Sequence, residues 1–124
     1  MATPEQMTAA VHAYVEAFDK DDPELAVALF AEDACIEDPI GTPLMIGHDA
    51  IREFYTGAVA AGAKLVLEGP IRIAGEYAAF PFSARLMMDG NGMRIDGIDI
   101  FKFNDAGKVI EMKAFYGPGN IHAI

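Results

Sequence analysis

Tyr77-Ala78-Ala79-Phe80-Pro81-Phe82-Ser83-Ala84-Arg85-Leu86-Met87-Met88, then Asp89-Gly90-Asn91-Gly92, then Met93-Arg94-Ile95-Asp96-Gly97-Ile98-Asp99-Ile100-Phe101-Lys102-Phe103, is the stretch that decides the fold. Its first run puts Ala78, Phe80, Phe82, Ala84, Leu86 and Met88 on one face of a strand, because side chains alternate with period two. The Asp-Gly-Asn-Gly segment is a strong hairpin turn. The return run aligns Met93, Ile95, Gly97, Asp99, Phe101 and Phe103 on a single face. Two long strands with matched apolar faces need a layer to cover them.

Working outward, the N-terminal side supplies that layer. Thr3 caps a first helix, Pro4 suits its first position and Gln6 completes a capping box. Met7, Val11, Tyr14 and Phe18 follow at helical spacing. Asp22-Pro23 opens a second helix, with Leu25, Ala28 and Leu29 expected to face inward. A short strand is expected at Ala34–Asp38, ended by Pro39 and Gly41. A third helix starts near Gly47-His48-Asp49 and carries Ile51, Phe54, Tyr55 and Ala58, with Gly57 and Gly62 about its end. Short strands are expected at Lys64–Leu67 and Ile71–Ile73. Past the hairpin, Asn104-Asp105-Ala106-Gly107 turns the chain and Lys108–Tyr116 forms a last strand. The Gly117-Pro118-Gly119 tail is expected to run out as coil. Three helices followed by an antiparallel meander predict a single α+β domain over residues 1–124, its helices on one face of a bent sheet.

Composition narrows the function. Of the 124 residues, 52% are hydrophobic, above the roughly 45–50% usual for soluble domains, which suits an apolar pocket or an interface. Nine basic against nineteen acidic side chains leave a net charge of −10, repelling nucleic acid and anionic membrane. No run of about 18 apolar residues exists to span a bilayer. The start, Met1-Ala2-Thr3-Pro4-Glu5, lacks the regions of a signal peptide, and Cys35 stands alone, so a reducing cytoplasm is expected. No Gly-rich phosphate loop appears. His12, His48 and His122 have no metal-ligand spacing, and no metal or organic cofactor is expected.

Asp99 carries the most information. Its carboxyl sits on the most apolar face of a central strand, where ionisation would be expensive, so it should hold its proton and act as a donor. The pattern alone equally allows a buried Asp satisfied by backbone or paired with a cation. Asp38 closes a strand just before Pro39, where it is either a base at a pocket mouth or a turn former. Tyr14 and Tyr55 lie on buried helical stripes and read as core packing or as inward-facing phenols. Taken together, two phenols and two carboxyls aim into one interior.

The whole chain resembles the bacterial Δ5-3-ketosteroid isomerases, of the nuclear transport factor 2-like superfamily. The resemblance is carried by Tyr14-Val15, Val27-Ala28-Leu29-Phe30-Ala31, Glu37-Asp38-Pro39-Ile40-Gly41, Ala50-Ile51-Arg52-Glu53-Phe54-Tyr55, Ile98-Asp99-Ile100-Phe101-Lys102-Phe103 and Gly119-Asn120-Ile121-His122-Ala123. It implies a strongly bent, mainly antiparallel sheet forming a cone-like apolar pocket. It also implies Asp38 as the base that moves a proton from carbon 4 to carbon 6 of a 3-oxosteroid, with Tyr14 and protonated Asp99 as the oxyanion hole and Tyr55 behind Tyr14. These isomerases are themselves the standard illustration of a carboxylic acid kept neutral near pH 7 so that it can donate. Phe54, Phe80, Phe82, Leu86, Phe101, Met112 and Tyr116 are expected to line or support a cavity suited to fused rings.

Three positions depart from the family pattern. Phe30 stands where some members have a third tyrosine, Tyr116 where an indole or phenyl is usual, and Met87-Met88 replaces a partly aromatic stretch. Rival readings are a polyketide cyclase, dehydratase or epoxide hydrolase on the same fold, or a non-catalytic ligand-binding dimer module. An epoxide hydrolase would want Asp, Arg and Asp around a water, and Arg85 and Arg94 fall on the wrong strand faces for that. The apolar face at Ile98 and Ile100 predicts a symmetric homodimer across part of the sheet.

Overall fold

A computed structural model describes residues 1–124. Helix α1, Pro4–Asp19, begins as its sequence requires: Thr3 Oγ1 accepts from Gln6 N at 3.1 Å, and Gln6 Oε1 accepts from Thr3 N at 2.8 Å. Such a cap contributes about 1 kcal/mol. Its inward stripe buries Met7, Ala10, Val11, Tyr14, Ala17 and Phe18. Helix α2, Pro23–Val27, is a single short turn capped by Asp22. Here the inward face differs from expectation, because Ala26 and Val27 are buried while Leu25 and Ala28 face solvent. A helix of five residues has too few positions for periodicity to set its phase.

Strand β1, Phe30–Glu37, starts four residues earlier than expected and leaves Asp38 just past its end. The two-residue strand β2, Met45–Ile46, pairs with it antiparallel. Helix α3, His48–Ala60, follows a Gly47 N-cap at φ 87°, a conformation that favours glycine. His48 Nε2 bonds the Phe30 carbonyl at 2.8 Å and so pins the start of α3 to the start of β1. Strands β3, Lys64–Leu67, and β4, Arg72–Ala74, both pair with β5, Tyr77–Met88. Lys64 reaches back to the Phe18 carbonyl at 2.7 Å, placing a cation at the C-terminal end of α1.

The hairpin of β5 with β6, Asn91–Phe103, holds unbroken register from Tyr77↔Lys102 to Met88↔Asn91. Ala78, Phe80, Phe82 and Ala84 are buried as expected, whereas Leu86 is half-buried and Met88 exposed at the far tip. Gly97 is needed at its place. A Cβ there would lie 2.8 Å from the ring tip of its cross-strand neighbour Phe82. Strand β7, Val109–Phe115, pairs antiparallel with β6 and parallel with β1. The tail is not coil. A 3-10 turn at Pro118–Asn120 leads into β8, Ile121–Ala123, which pairs with β6 at Met93–Ile95.

The fold is therefore α+β, with three helices on a mixed, mostly antiparallel eight-stranded sheet ordered β2-β1-β7-β6-β5-β3. Helices α1 and α3 close over the concave face to form a cone. Its narrow end is solid: Phe101 meets Tyr14 and Phe80 edge-on at 5.1 Å between ring centres. Each fully buried aromatic contributes about 1.5–3 kcal/mol of transfer free energy.

Candidate active site

The wide end of the cone stays open. It encloses about 510 Å³ of empty space, part of it continuous with solvent, between α1, α3 and the concave sheet face. Apolar side chains make most of the wall: Phe18 from α1, Phe54 and Ala58 from α3, Ala63, Leu65, then Phe82, Ala84, Leu86 and Ile95 from the hairpin. Polar groups enter from Tyr14, Asp38, Tyr55, Asp99 and Tyr116 alone. No Lys, Arg or His reaches this wall.

Each polar group arrives by a different route. Tyr14 lies in the C-terminal half of α1 and Tyr55 midway along α3, and their hydroxyls meet at 3.0 Å in the interior. Asp99 is 2% exposed on the inward face of β6, between Phe80 on β5 and Ala114 on β7. Its Oδ1 is sealed from solvent with no hydrogen-bond partner. An ionised carboxylate in that position would be unsupported, so the burial, and secondly the negative charge of Asp38, push its ionisation well above the usual carboxylate range. Both effects favour the protonated, neutral carboxyl. Asp38 is partly buried at the mouth, and desolvation raises it to about 6, with the Tyr116 hydroxyl drawing it partway back. Burial likewise keeps Tyr14 protonated.

The arrangement thus brings Tyr14, Asp38, Tyr55, Phe54, Phe82, Leu86, Asp99 and Tyr116 to one cavity. Phe80, Phe101 and Met112 lie fully buried behind its wall and do not reach it. Phe18, Ala84 and Ile95 line it without having been singled out, although periodicity signalled them: Phe18 is one helical turn beyond Tyr14, and Ile95 shares the face of Asp99. Leu65 and Ala63 had no comparable signal. Elsewhere, His122 pairs with Asp96 at 3.2 Å on the outer side of the sheet, and Cys35 lies outside the cavity. No group of three or more His, Cys, Asp or Glu side chains is placed to hold a metal ion.

A cone with a dry acid at its depth and a carboxylate at its mouth is a small-molecule cavity on a helix-covered curved sheet, and the chain belongs to the SnoaL-like domain family, nuclear transport factor 2-like in fold, which matches residues 11–112. Within that class it is similar to the steroid Delta-isomerase of Nocardioides simplex, 37% identical over 117 residues that cover 94% of each chain. An epoxide hydrolase/cyclase-like enzyme of pyran ring formation in the polyether salinomycin superposes with a TM-score of 0.93 at 25% identity, over 100% of both chains. A Mycobacterium tuberculosis protein, whose crystal structure is a complex with estradiol-17beta-hemisuccinate, shares the fold with a TM-score of 0.86 at 21% identity. That match covers 94% of this chain and 98% of the other.

Proposed function

We propose that this protein converts 3-oxo-Δ5-steroids to their conjugated Δ4 isomers by moving one proton within the substrate. The observation that carries the reading is Asp99: a buried acid with an unpartnered oxygen, on the same wall as a phenol and a second carboxylate. Kinship with a steroid Delta-isomerase along nearly the whole chain supports it.

The chemistry follows from the two carboxyls being pushed to different states. Asp38, with its ionisation near 6, is mostly a carboxylate at pH 7 and a usable base. It takes the proton from carbon 4, and the electron pair moves onto the 3-oxo oxygen to form a dienolate. Tyr14 and protonated Asp99 donate to that oxygen. Donors fixed in a dry site stabilise developing charge strongly, by about 2.7–4 kcal/mol each where such donors have been removed. Asp38 then returns the proton to carbon 6, leaving the conjugated enone. The apolar wall takes the fused rings, and no cofactor takes part.

A cyclase or epoxide hydrolase is the second reading, favoured by the TM-score of 0.93 to the salinomycin enzyme. The wall offers it no guanidinium. Arg94 binds Asp96 at 3.1 Å away from the cavity, and Arg85 is exposed. Mixing the protein with a Δ5-3-oxosteroid should produce the ultraviolet absorbance of the conjugated enone. Asp38→Asn should slow that signal by roughly 10²–10⁴-fold. No absorbance change with wild-type protein would overturn the isomerase reading.

A further inference from the structure

We propose that Gly97 sets how large a ligand the cavity admits. Carrying no side chain, it lets the Phe82 ring lie back against the sheet and leaves room for a rigid fused-ring ligand in front of Asp99. The inference rests on the reading above only for the enone character of that ligand.

Nothing in the backbone asks for glycine here. Gly97 lies inside β6, outside the left-handed region, in a stretch of unbroken pairing with β5. The demand comes from the space around it, as it does where a strand glycine marks a close approach. A Cβ at Gly97 would lie 2.8 Å from Cζ and 3.0 Å from Cε1 of Phe82, and 3.2 Å from the Phe115 carbonyl oxygen. The Phe82 ring occupies the place that a side chain would take.

That ring is also part of the cavity wall, together with Ala84 and Leu86 of its own strand and Ile95 and Asp99 of β6. Register pairs Phe80 with Asp99 and Phe82 with Gly97, so Phe82 is the diagonal neighbour of Asp99, one step toward Leu86. A methyl group added at position 97 forces something to give. The Phe115 carbonyl is backbone of the β6–β7 ladder, whereas the ring is the free end of a side chain. It cannot leave through the sheet, because β5 and β6 stay paired from Tyr77 to Met88. The open space on its own face is the cavity. A displaced ring therefore narrows the cavity beside Asp99 while Tyr14, Asp38 and Asp99 keep their places. Two fused rings can shift aside in the space that remains. Four move as one rigid plate and cannot.

The test measures equilibrium binding, by dialysis followed through enone absorbance, of testosterone and of an octalone that carries the same enone on two fused rings. Gly97→Ala should weaken testosterone roughly ten-fold, as a modest steric clash does, and the octalone less than about three-fold. Phe82→Leu takes the ring away, and in that background Gly97→Ala should cost testosterone less than about three-fold, so the cycle reads the coupling of the two positions directly. Undiminished testosterone binding in Gly97→Ala, an equal loss for both ligands, or a loss that persists without the ring would overturn the proposal. So would a wild type that binds no testosterone, or a Gly97→Ala chain that unfolds, which would show that the ring has no room to yield. Binding needs no turnover. A wild type that binds testosterone yet leaves a Δ5-3-oxosteroid unchanged would refute the isomerase reading and leave this inference standing.

Discussion

The hydroxyls of Tyr14 and Tyr55 lie 3.0 Å apart at the junction of α1, α3 and the sheet, each phenol almost wholly buried. In the proposed reaction Tyr55 donates to the Tyr14 oxygen, and Tyr14 gives its own proton to the steroid oxygen. Tyr14→Phe should lower kcat by roughly 10²–10³-fold with little change in KM, since the bond strengthens mainly as charge develops on the steroid oxygen. Tyr55→Phe should cost only a few-fold. Steady-state kinetics on both variants checks this, and an equal loss in the two would contradict the assigned order.

Asp99 separates activity from stability. Asp99→Leu should reduce kcat by a similar roughly 10²–10³-fold, because one donor of the pair is gone. The same change should raise stability by about 1–3 kcal/mol, the penalty of a buried polar atom left unpaired. Asp99→Asn retains a donor and should lose less activity. Melting temperature and kcat measured together decide it: a lower melting temperature with unchanged turnover would mark Asp99 as a structural ion instead.

Asp38 makes stability depend on pH in a definite direction. The folded chain holds the Asp38 proton up to about pH 6, whereas the unfolded chain releases it near pH 4. Between these values the folded state binds more protons, so stability falls as pH rises, by at most about 1.4 kcal/mol per pH unit from this group. Urea unfolding should show wild type losing stability relative to Asp38→Asn from about pH 4 to 6, with a constant difference above. A difference independent of pH would mean that Asp38 is not desolvated.

The outer face of the sheet carries its own expectation. Ile98 and Phe115 are cross-strand neighbours exposed by 48% and 44%, an apolar pair left bare on a single chain. We expect a symmetric dimer across this patch. Sedimentation at micromolar concentration should give the dimer mass for wild type and the monomer mass for Ile98→Glu. A wild-type monomer would refute the assignment.

Local patterning by itself determined much of this protein. Thr3, Pro4 and Gln6 start α1 by bonds within one helical turn, the Asp89-Gly90 turn and its flanking alternation set the hairpin, and that alternation alone puts Asp99 on an apolar face. The resemblance segments added the roles expected of Tyr14, Asp38 and Tyr55. Short elements escaped, because five residues of α2 or three of β8 carry too little periodicity to stand out. The decisive relationships are long-range. That β1 runs parallel to β7, that the tail returns to pair with β6, and that Phe80, Phe101 and Met112 lie buried behind the cavity wall while Phe54, Phe82 and Leu86 line it, all depend on residues far apart in the chain. So does the placing of Asp38 and Tyr116 on one cavity wall. Periodicity reports which side of an element is buried, but only packing between elements decides whether a buried side chain faces other core or empty space.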